Sequence, residues 1–327
     1  MKTGKALIYS SYGKPLEVLG LEAQSLRDPG PGEVLLKVLA APVHPSDFGM
    51  ILGKYGRLKA LPAVAGREGV AEIVAVGADV DDFSPGDRVT VPDDMGSWQE
   101  MGLSSAKGLF RVPSDIPVEM AAMATINPPT AWRILRDAGL NDGDWVIQNA
   151  ANSAVGLHVI EMARHLGLKT VNVVRREELI QPLLDRGADH VVLEESGYDR
   201  NIKDLTGGQP VMLALNSIGG ESAIRLVNAL SPGGSHVTIG AMQFEAVRFP
   251  TRALIFNNVT LRGFWMDQWF RNQSETRVQI MFDKIFDLMR KGQVTATVSD
   301  SFRLEDYKEA VEAAGNPRLG KVMFRMD

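Results

Sequence analysis

Two adjacent arginines, Arg175 and Arg176, close the apolar run "VNVVRRE" (171–177), which follows the small-residue loop "NAANSAVG" (149–156). An interval of about 20 residues between such a loop and the end of the next strand is that of a dinucleotide-binding βαβ unit. There the first N–H groups of the helix, and its positive dipole end, attract phosphates. Small side chains such as Ala154 and Val155 let a pyrophosphate approach, and Gly156 can serve close packing of helix on strand. Asn152 and Ser153 can offer side-chain hydrogen bonds where glycines would offer only backbone. An ordinary strand–helix turn would look the same over the loop alone. The arginines separate the two readings. An acidic residue at their position would suit ribose hydroxyls, whereas forked guanidinium donors suit the 2′-phosphate of NADP. An exposed charge pair at a helix start explains them poorly, because cations are unfavourable at a helix N-terminus. Tyr55, between Gly53 and Gly56 in "GKYG" (53–56), also has chemistry to offer. Its hydroxyl could project from a loop into a cleft; a surface turn aromatic would read the same way.

The elements that must position these residues are legible on either side. Residues 1–117 read as short strands, among them 5–10, 33–43, 69–77 and 86–92, divided by turn signals such as "PGPGE" (29–33) and "SPGD" (84–87). "PSDFGMILGKYG" (45–56) breaks that pattern and reads as a loop. From residue 118 helical periodicity begins, interrupted at Pro128 and Pro129. Strand-like runs (145–150, 170–174, 190–195, 211–217, 235–240) then alternate with amphipathic helices such as 154–167 and 177–186. That alternation predicts a parallel sheet covered on both faces and, with right-handed crossovers, a doubly wound α/β fold. A strand over 257–266, a helix over 274–291, a strand–turn–helix over 301–314 and a closing strand "GKVMFRM" (320–326) follow. The last of these could return to the first domain. The expected plan is a nucleotide-binding domain at 118–264 inserted into a discontinuous β-rich domain, 1–117 with 265–327.

Composition narrows the chemistry. A chain of 327 residues is long for one core, which favours two domains. A net charge of −5 gives no electrostatic reason to expect nucleic acid or an anionic membrane surface. There are no cysteines, so disulfides and thiolate zinc sites are excluded. No apolar run approaches the ~20 residues of a membrane helix, and "MKTGKALIYS" runs into a strand without a signal-peptide core. The expected location is cytoplasmic, with a processed mitochondrial form left open.

Several stretches together resemble the medium-chain dehydrogenase/reductase superfamily, and within it the zinc-independent trans-2-enoyl thioester reductases of fatty-acid synthesis. They are "HPSDFGMILGKYG" (44–56), "LPAVAGREGVAEIVAVG" (61–77), "INPPTAW" (126–132), "VIQNAANSAVG" (146–156), "VNVVRRE", "LALNSIGG" (213–220) and "LRGFWMDQW" (261–269), in order along most of the chain. "QNAANSAVG" and "GFWMDQW" are the specific ones. The resemblance implies a Rossmann domain inserted into a GroES-like domain, and a homodimer. It implies that Tyr55 is the catalytic tyrosine, that Trp265 shapes the pocket beside it, and that Asn127, with Thr130, contacts the nicotinamide end. Asn152, Ser153, Ala154, Val155 and Gly156 match the pyrophosphate loop, and Arg175 and Arg176 the adenosine-phosphate pocket. Ile239, Gly240, Ala241 and Met242 match a cofactor-lining stretch, as do Phe264, Trp265 and Met266; Lys321 matches a late cofactor-contacting lysine. One departure is His44, where the family usually has Asn. It falls near a superfamily zinc-ligand position, but the partner position holds Arg67, so a hydrogen-bonding role is expected and no metal. His158, His165, His190 and His236 are scattered and read as packing or surface residues.

The implied reaction is NADPH-dependent reduction of the C2=C3 bond of an enoyl thioester, with hydride to Cβ and a proton to Cα. Tyr55 would assist at the thioester oxygen or pass the proton, its reference pKa of ~10 leaving full transfer dependent on surroundings. A reductase of quinones or other activated alkenes would share fold and cofactor. A non-catalytic NADPH-binding sensor is an alternative of another class. The substrate could arrive on coenzyme A or on acyl-carrier protein, with Lys54, Arg57, Lys59 and Arg67 as basic candidates near Tyr55, each of which also reads as plain surface charge.

Overall fold

The computed structural model describes residues 2–242 and 249–326. The chain forms two compact units, residues 1–126 with 274–327, and residues 127–273. Both divisions fall nine residues beyond the expected ones at 117/118 and 264/265. Local structure explains the offset. The helix Val118–Ala122 packs against the strand Glu33–Pro42 and so stays with the β-rich unit. After the last parallel strand, the helix Met266–Arg271 carries Trp269, whose ring lies under the Arg133 guanidinium of the helix Asn127–Arg136. That contact keeps residues 266–271 with the α/β unit. The interruption read at Pro128 and Pro129 is the boundary between the two helices: both prolines sit in the first turn of Asn127–Arg136, where a missing N–H costs nothing.

In the β-rich unit the strand Lys2–Tyr9 pairs antiparallel with Leu19–Leu26 and, at its end, with Ala63–Val64. A second sheet runs Val298–Phe302, Lys321–Arg325, Glu33–Pro42, Val70–Val76, Arg88–Thr90, with Met101–Ser105 also on Glu33–Pro42. The closing strand does return to the first domain: Met323 pairs with Pro42 and Phe324 with Ala41. Alternating side chains of these strands bury one core, in which Trp98 meets Phe324 edge-on at 5.2 Å.

One expectation for this unit fails. Residues 45–51, read as part of a loop, are a helix, Pro45–Ile51. Pro45 occupies its first position and the Asp47 carboxylate accepts from the His44 backbone N–H at 2.6 Å. Both are helix-start signals that outweigh Gly49 and the aromatic content of the stretch.

The α/β unit has six parallel strands in the order His190–Leu193, Lys169–Val174, Trp145–Gln148, Val211–Asn216, Ser235–Thr238, Thr260–Gly263. Numbered along this unit the order is 3-2-1-4-5-6, the doubly wound arrangement expected. Trp145–Gln148 is buried along its whole length, as a central strand covered on both faces must be. The chain reverses its direction of growth between Trp145–Gln148 and Val211–Asn216, which places a binding crevice at their carboxyl ends.

Candidate functional site

At that crevice the strand Trp145–Gln148 leads through Asn149–Asn152 into the helix Ala154–His165. Ala150 adopts φ +47, a left-handed conformation that glycine would take more cheaply. Ser153 is the N-cap; its hydroxyl accepts from the Gly156 N–H at 3.2 Å. Gly156 has no alternative, because a Cβ there would lie 2.6 Å from the Ala151 carbonyl oxygen. Its own carbonyl accepts from Gln148 Nε2 at 2.9 Å. The helix therefore presses onto the loop, while Asn152, Ser153, Ala154 and Val155 stay half-buried along the turn. This is a capped helix N-terminus flanked by small, half-buried residues, an arrangement that suits a pyrophosphate.

Buried amides hold the crevice open, and the sequence reading did not single them out. Asn149 Nδ2 donates to Asn216 Oδ1 and to Ser222 Oγ, each at 2.9 Å, and Asn149 Oδ1 accepts from the Ser217 N–H at 2.7 Å. Asn216 Oδ1 also accepts from the Gly219 N–H at 3.0 Å. The ends of the first and fourth strands are thus tied to each other by side chains. The signal was present: polar residues at the ends of two otherwise apolar strands have no reason to be buried unless they pair. Gly240 joins this group, since a Cβ on it would meet the Ser217 carbonyl oxygen at 3.1 Å.

The other expected cofactor residues of this unit are distributed as follows. Arg175 is exposed at the end of the second strand, whereas half-buried Arg176 forms a 3.0 Å ion pair with Glu178. Asn127 opens its helix with Nδ2 buried and without a hydrogen-bond partner among the described residues. Thr130 lies one turn on and is half-buried. Ala241 and Met242 are exposed. Phe264 and Trp265 are half-buried after the last strand, with the Arg271 guanidinium 5.2 Å from the Trp265 ring, and Met266 is buried. A helix N-terminus without bulky side chains, an exposed guanidinium one strand away and an unpaired buried amide donor fit a phosphorylated dinucleotide.

The β-rich unit carries Tyr55, Arg67, His44 and Lys321. Tyr55 follows the helix Pro45–Ile51 after a tight turn in which Gly53 takes φ +70, and its ring passes beside Gly49. Arg67 Nη1 donates to the Tyr55 hydroxyl oxygen at 2.7 Å, and its guanidinium carbon stands 4.5 Å from the ring centroid. Arg67 Nε donates to Asp93 Oδ1 at 3.2 Å. At 5% exposure Arg67 is no surface charge. Lys59 is also turned inward, donating to the Val64 and Gly66 carbonyls at 3.2 and 3.1 Å, and burial lowers its pKa. The expectation that either is a plain surface charge is thereby corrected; Lys54 and Arg57 are exposed. A cavity of about 470 Å³ adjoins the cluster, with Met50, Arg57, Lys59 and Asp93 in its wall.

His44 is buried between two ions. Its Nδ1 lies 3.0 Å from Lys321 Nζ and its Nε2 2.5 Å from Glu68 Oε2. With the lysine donating to Nδ1, Nε2–H donates to the carboxylate. Burial alone would raise Glu68, but His44 and the backbone N–H groups of Ile126 and Thr125, both at 2.6 Å, hold it below the usual carboxylate range. Burial lowers Lys321 to about 8 against the pull of Glu68 and Asp47. Lys321 is therefore taken up within this unit by His44, a partner that no sequence signal indicated. The remaining histidines serve packing: His158 pairs with Glu161 at 3.1 Å, His190 stacks on Trp145, His165 lies beside Trp132, and His236 is fully buried against Phe249.

Known proteins align with this arrangement. Residues 30–114 match the alcohol dehydrogenase GroES-like domain and residues 154–284 the zinc-binding dehydrogenase family. The chain is 44% identical to the mitochondrial enoyl-[acyl-carrier-protein] reductase of Xenopus tropicalis, over 97% of this chain and 93% of that one. The human protein of the same name is 43% identical over 96% of this chain and 86% of its own length. Among solved structures, the Etr1p/NADP/crotonyl-CoA complex superposes with a TM-score of 0.91 at 26% identity, covering 99% of this chain and 100% of that one. A candidate NADPH:quinone reductase from Bacillus thuringiensis superposes at 0.93 with 28% identity, covering 99% of each chain. The zinc in the second family's description does not fit the residues present. His44 is occupied by Glu68 and Lys321, Arg67 brings a cation, and among the described residues no three His, Cys, Asp or Glu side chains cluster to hold a metal.

Proposed function

The chain belongs to the medium-chain dehydrogenase/reductase superfamily, and on that premise we propose that it reduces the C2=C3 double bond of trans-2-enoyl thioesters with NADPH. The observation that carries the reading is 43–44% identity, over nearly the whole chain, to proteins named enoyl reductases. A nicotinamide cofactor comes with the family; its choice as NADPH rests on Arg175, an exposed forked cation at the end of the second strand. Bound NADPH would supply a hydride to Cβ. The chain's own part is to hold the phosphates at the Ser153-capped helix, to offer the Asn127 amide to the carboxamide, and to handle charge at the thioester. Tyr55 does the last, donating its O–H to the enolate oxygen or to Cα. Its oxygen accepts from Arg67, a cation placed to stabilise charge on that oxygen.

Lys54 and Arg57, exposed beside Tyr55, are the basic groups left to meet the phosphates of coenzyme A or the acidic surface of acyl-carrier protein. Exposed Ile255 and Phe256 precede the sheet's edge strand Thr260–Gly263 and support a homodimer formed there. No helix among the described residues is long and apolar enough to cross a membrane. A cytoplasmic location stays part of the proposal, and recovery of the native chain with mitochondria would count against it. The superposition on a candidate quinone reductase supports quinone or enone reduction as a second reading. Steady-state turnover with NADPH separates them, using crotonyl-CoA, longer enoyl-CoAs and a quinone in parallel. Preference for the enoyl-CoAs is expected; a preference for the quinone by orders of magnitude would overturn the assignment.

A further inference from the structure

Arg67 reaches Tyr55 from the core, from a fixed base. Gly66 has φ +84, and a Cβ on it would lie 2.4 Å from both Ser97 Oγ and the Trp98 ring, so the backbone entering Arg67 is locked against a fully buried tryptophan. Lys59 pins the same backbone through the Gly66 carbonyl. The guanidinium is then held at one edge by Asp93 and spends its other end on the Tyr55 oxygen. Asp93 is not consumed by Arg67 alone, since Arg57 and Lys59 each approach it to 3.9 Å. A surface tyrosine needs no such support. A 5%-exposed arginine that bonds both a carboxylate and the phenol is placed to set the phenol's position and charge.

We propose that Arg67, anchored by Asp93, is the positioning residue for Tyr55: it fixes the phenol's orientation and stabilises the negative charge left on its oxygen when its proton departs. The inference rests on the reading of Tyr55 as proton donor. In the step concerned a hydride from bound NADPH would form the Cβ–H bond, and the π electrons would move to the thioester as an enolate. The Tyr55 O–H bond then breaks as a Cα–H bond forms. The electron pair stays on the phenol oxygen, to which the Arg67 guanidinium donates its hydrogen bond, and a proton from water restores the hydroxyl. A planar fork serves better than a lysine here, because it can hold carboxylate and phenol at once.

The test compares Arg67→Gln, Arg67→Lys, Tyr55→Phe and the Tyr55→Phe/Arg67→Gln double variant, with crotonyl-CoA and NADPH. Arg67→Gln should lower kcat roughly 10- to 100-fold, while KM for crotonyl-CoA and the NADPH dissociation constant from fluorescence stay within about threefold. Arg67→Lys should recover part of that loss. The double variant should be no slower than Tyr55→Phe, because the two residues act as one device. A kcat for Arg67→Gln within about twofold of the parent, beside a slow Tyr55→Phe, would overturn the proposal and leave Tyr55 in its role. Losses that multiply in the double variant would also overturn it. A parent-like Tyr55→Phe would remove the underlying reading as well. Should Arg67→Gln fail to fold, Arg67→Lys decides: a several-fold lower kcat at unchanged KM supports the proposal, and a parent-like kcat overturns it.

Discussion

In the proposed function Tyr55 and Arg175 have two kinds of chemistry to perform, proton handling and recognition of a phosphate. Tyr55→Phe keeps the ring beside Gly49 and deletes only the hydroxyl, so kcat with crotonyl-CoA should fall by about 10²-fold or more. NADPH binding, followed by fluorescence, should be nearly unchanged. Arg175→Ala removes an exposed guanidinium, which should raise KM for NADPH roughly tenfold, the worth of one charge-assisted hydrogen bond, and leave KM for NADH as it was. Both positions are singled out by the sequence: Arg175 by its spacing to the loop, Tyr55 by the resemblance. Arg67 was not legible as a partner of Tyr55. Its burial depends on Gly66 fitting against Trp98, a contact between residues far apart in sequence. His44 was rightly expected to hydrogen-bond, but its partners, 24 and 277 residues away, are products of folding.

The strands and helices of the α/β unit were readable because burial on both faces writes long apolar runs into the sequence. The helix Pro45–Ile51 was not, since seven residues with an aromatic and a glycine give too little periodicity. Within the nucleotide loop the dependence on single atoms is sharp. Gly156→Ala forces a methyl group to within 2.6 Å of a backbone oxygen that cannot yield without moving the loop. It should cost about 1–3 kcal/mol of stability, read as a lower Tm, together with weaker NADPH binding. Ser153→Ala removes only the cap, at a cost of about 1 kcal/mol.

Across the whole molecule, stability should carry the mark of His236. It is fully buried with neither ring nitrogen bonded among the described residues, and burial lowers its pKa to about 4 from an ordinary 6.5. As pH falls below 6.5 the unfolded chain takes up this proton first, so the native state is at full strength above that pH and loses ground down to about 4. The loss from this residue approaches about 3 kcal/mol, at ~1.4 kcal/mol per pKa unit. Urea unfolding of the parent and of His236→Leu across that range should show the difference, with the variant's curve flatter. The division into two units was anticipated and its positions were not, because contacts such as Arg133 over Trp269, made only on folding, decide where a unit ends. In the proposed reaction, hydride from NADPH reaches the β-carbon of an enoyl thioester. Crotonyl-CoA reduced with NADPH deuterated at its transferable C4 position tests it most directly. The expected product is butyryl-CoA carrying a single deuterium at C3; crotonyl-CoA left unreduced while a quinone consumes the same NADPH would contradict it.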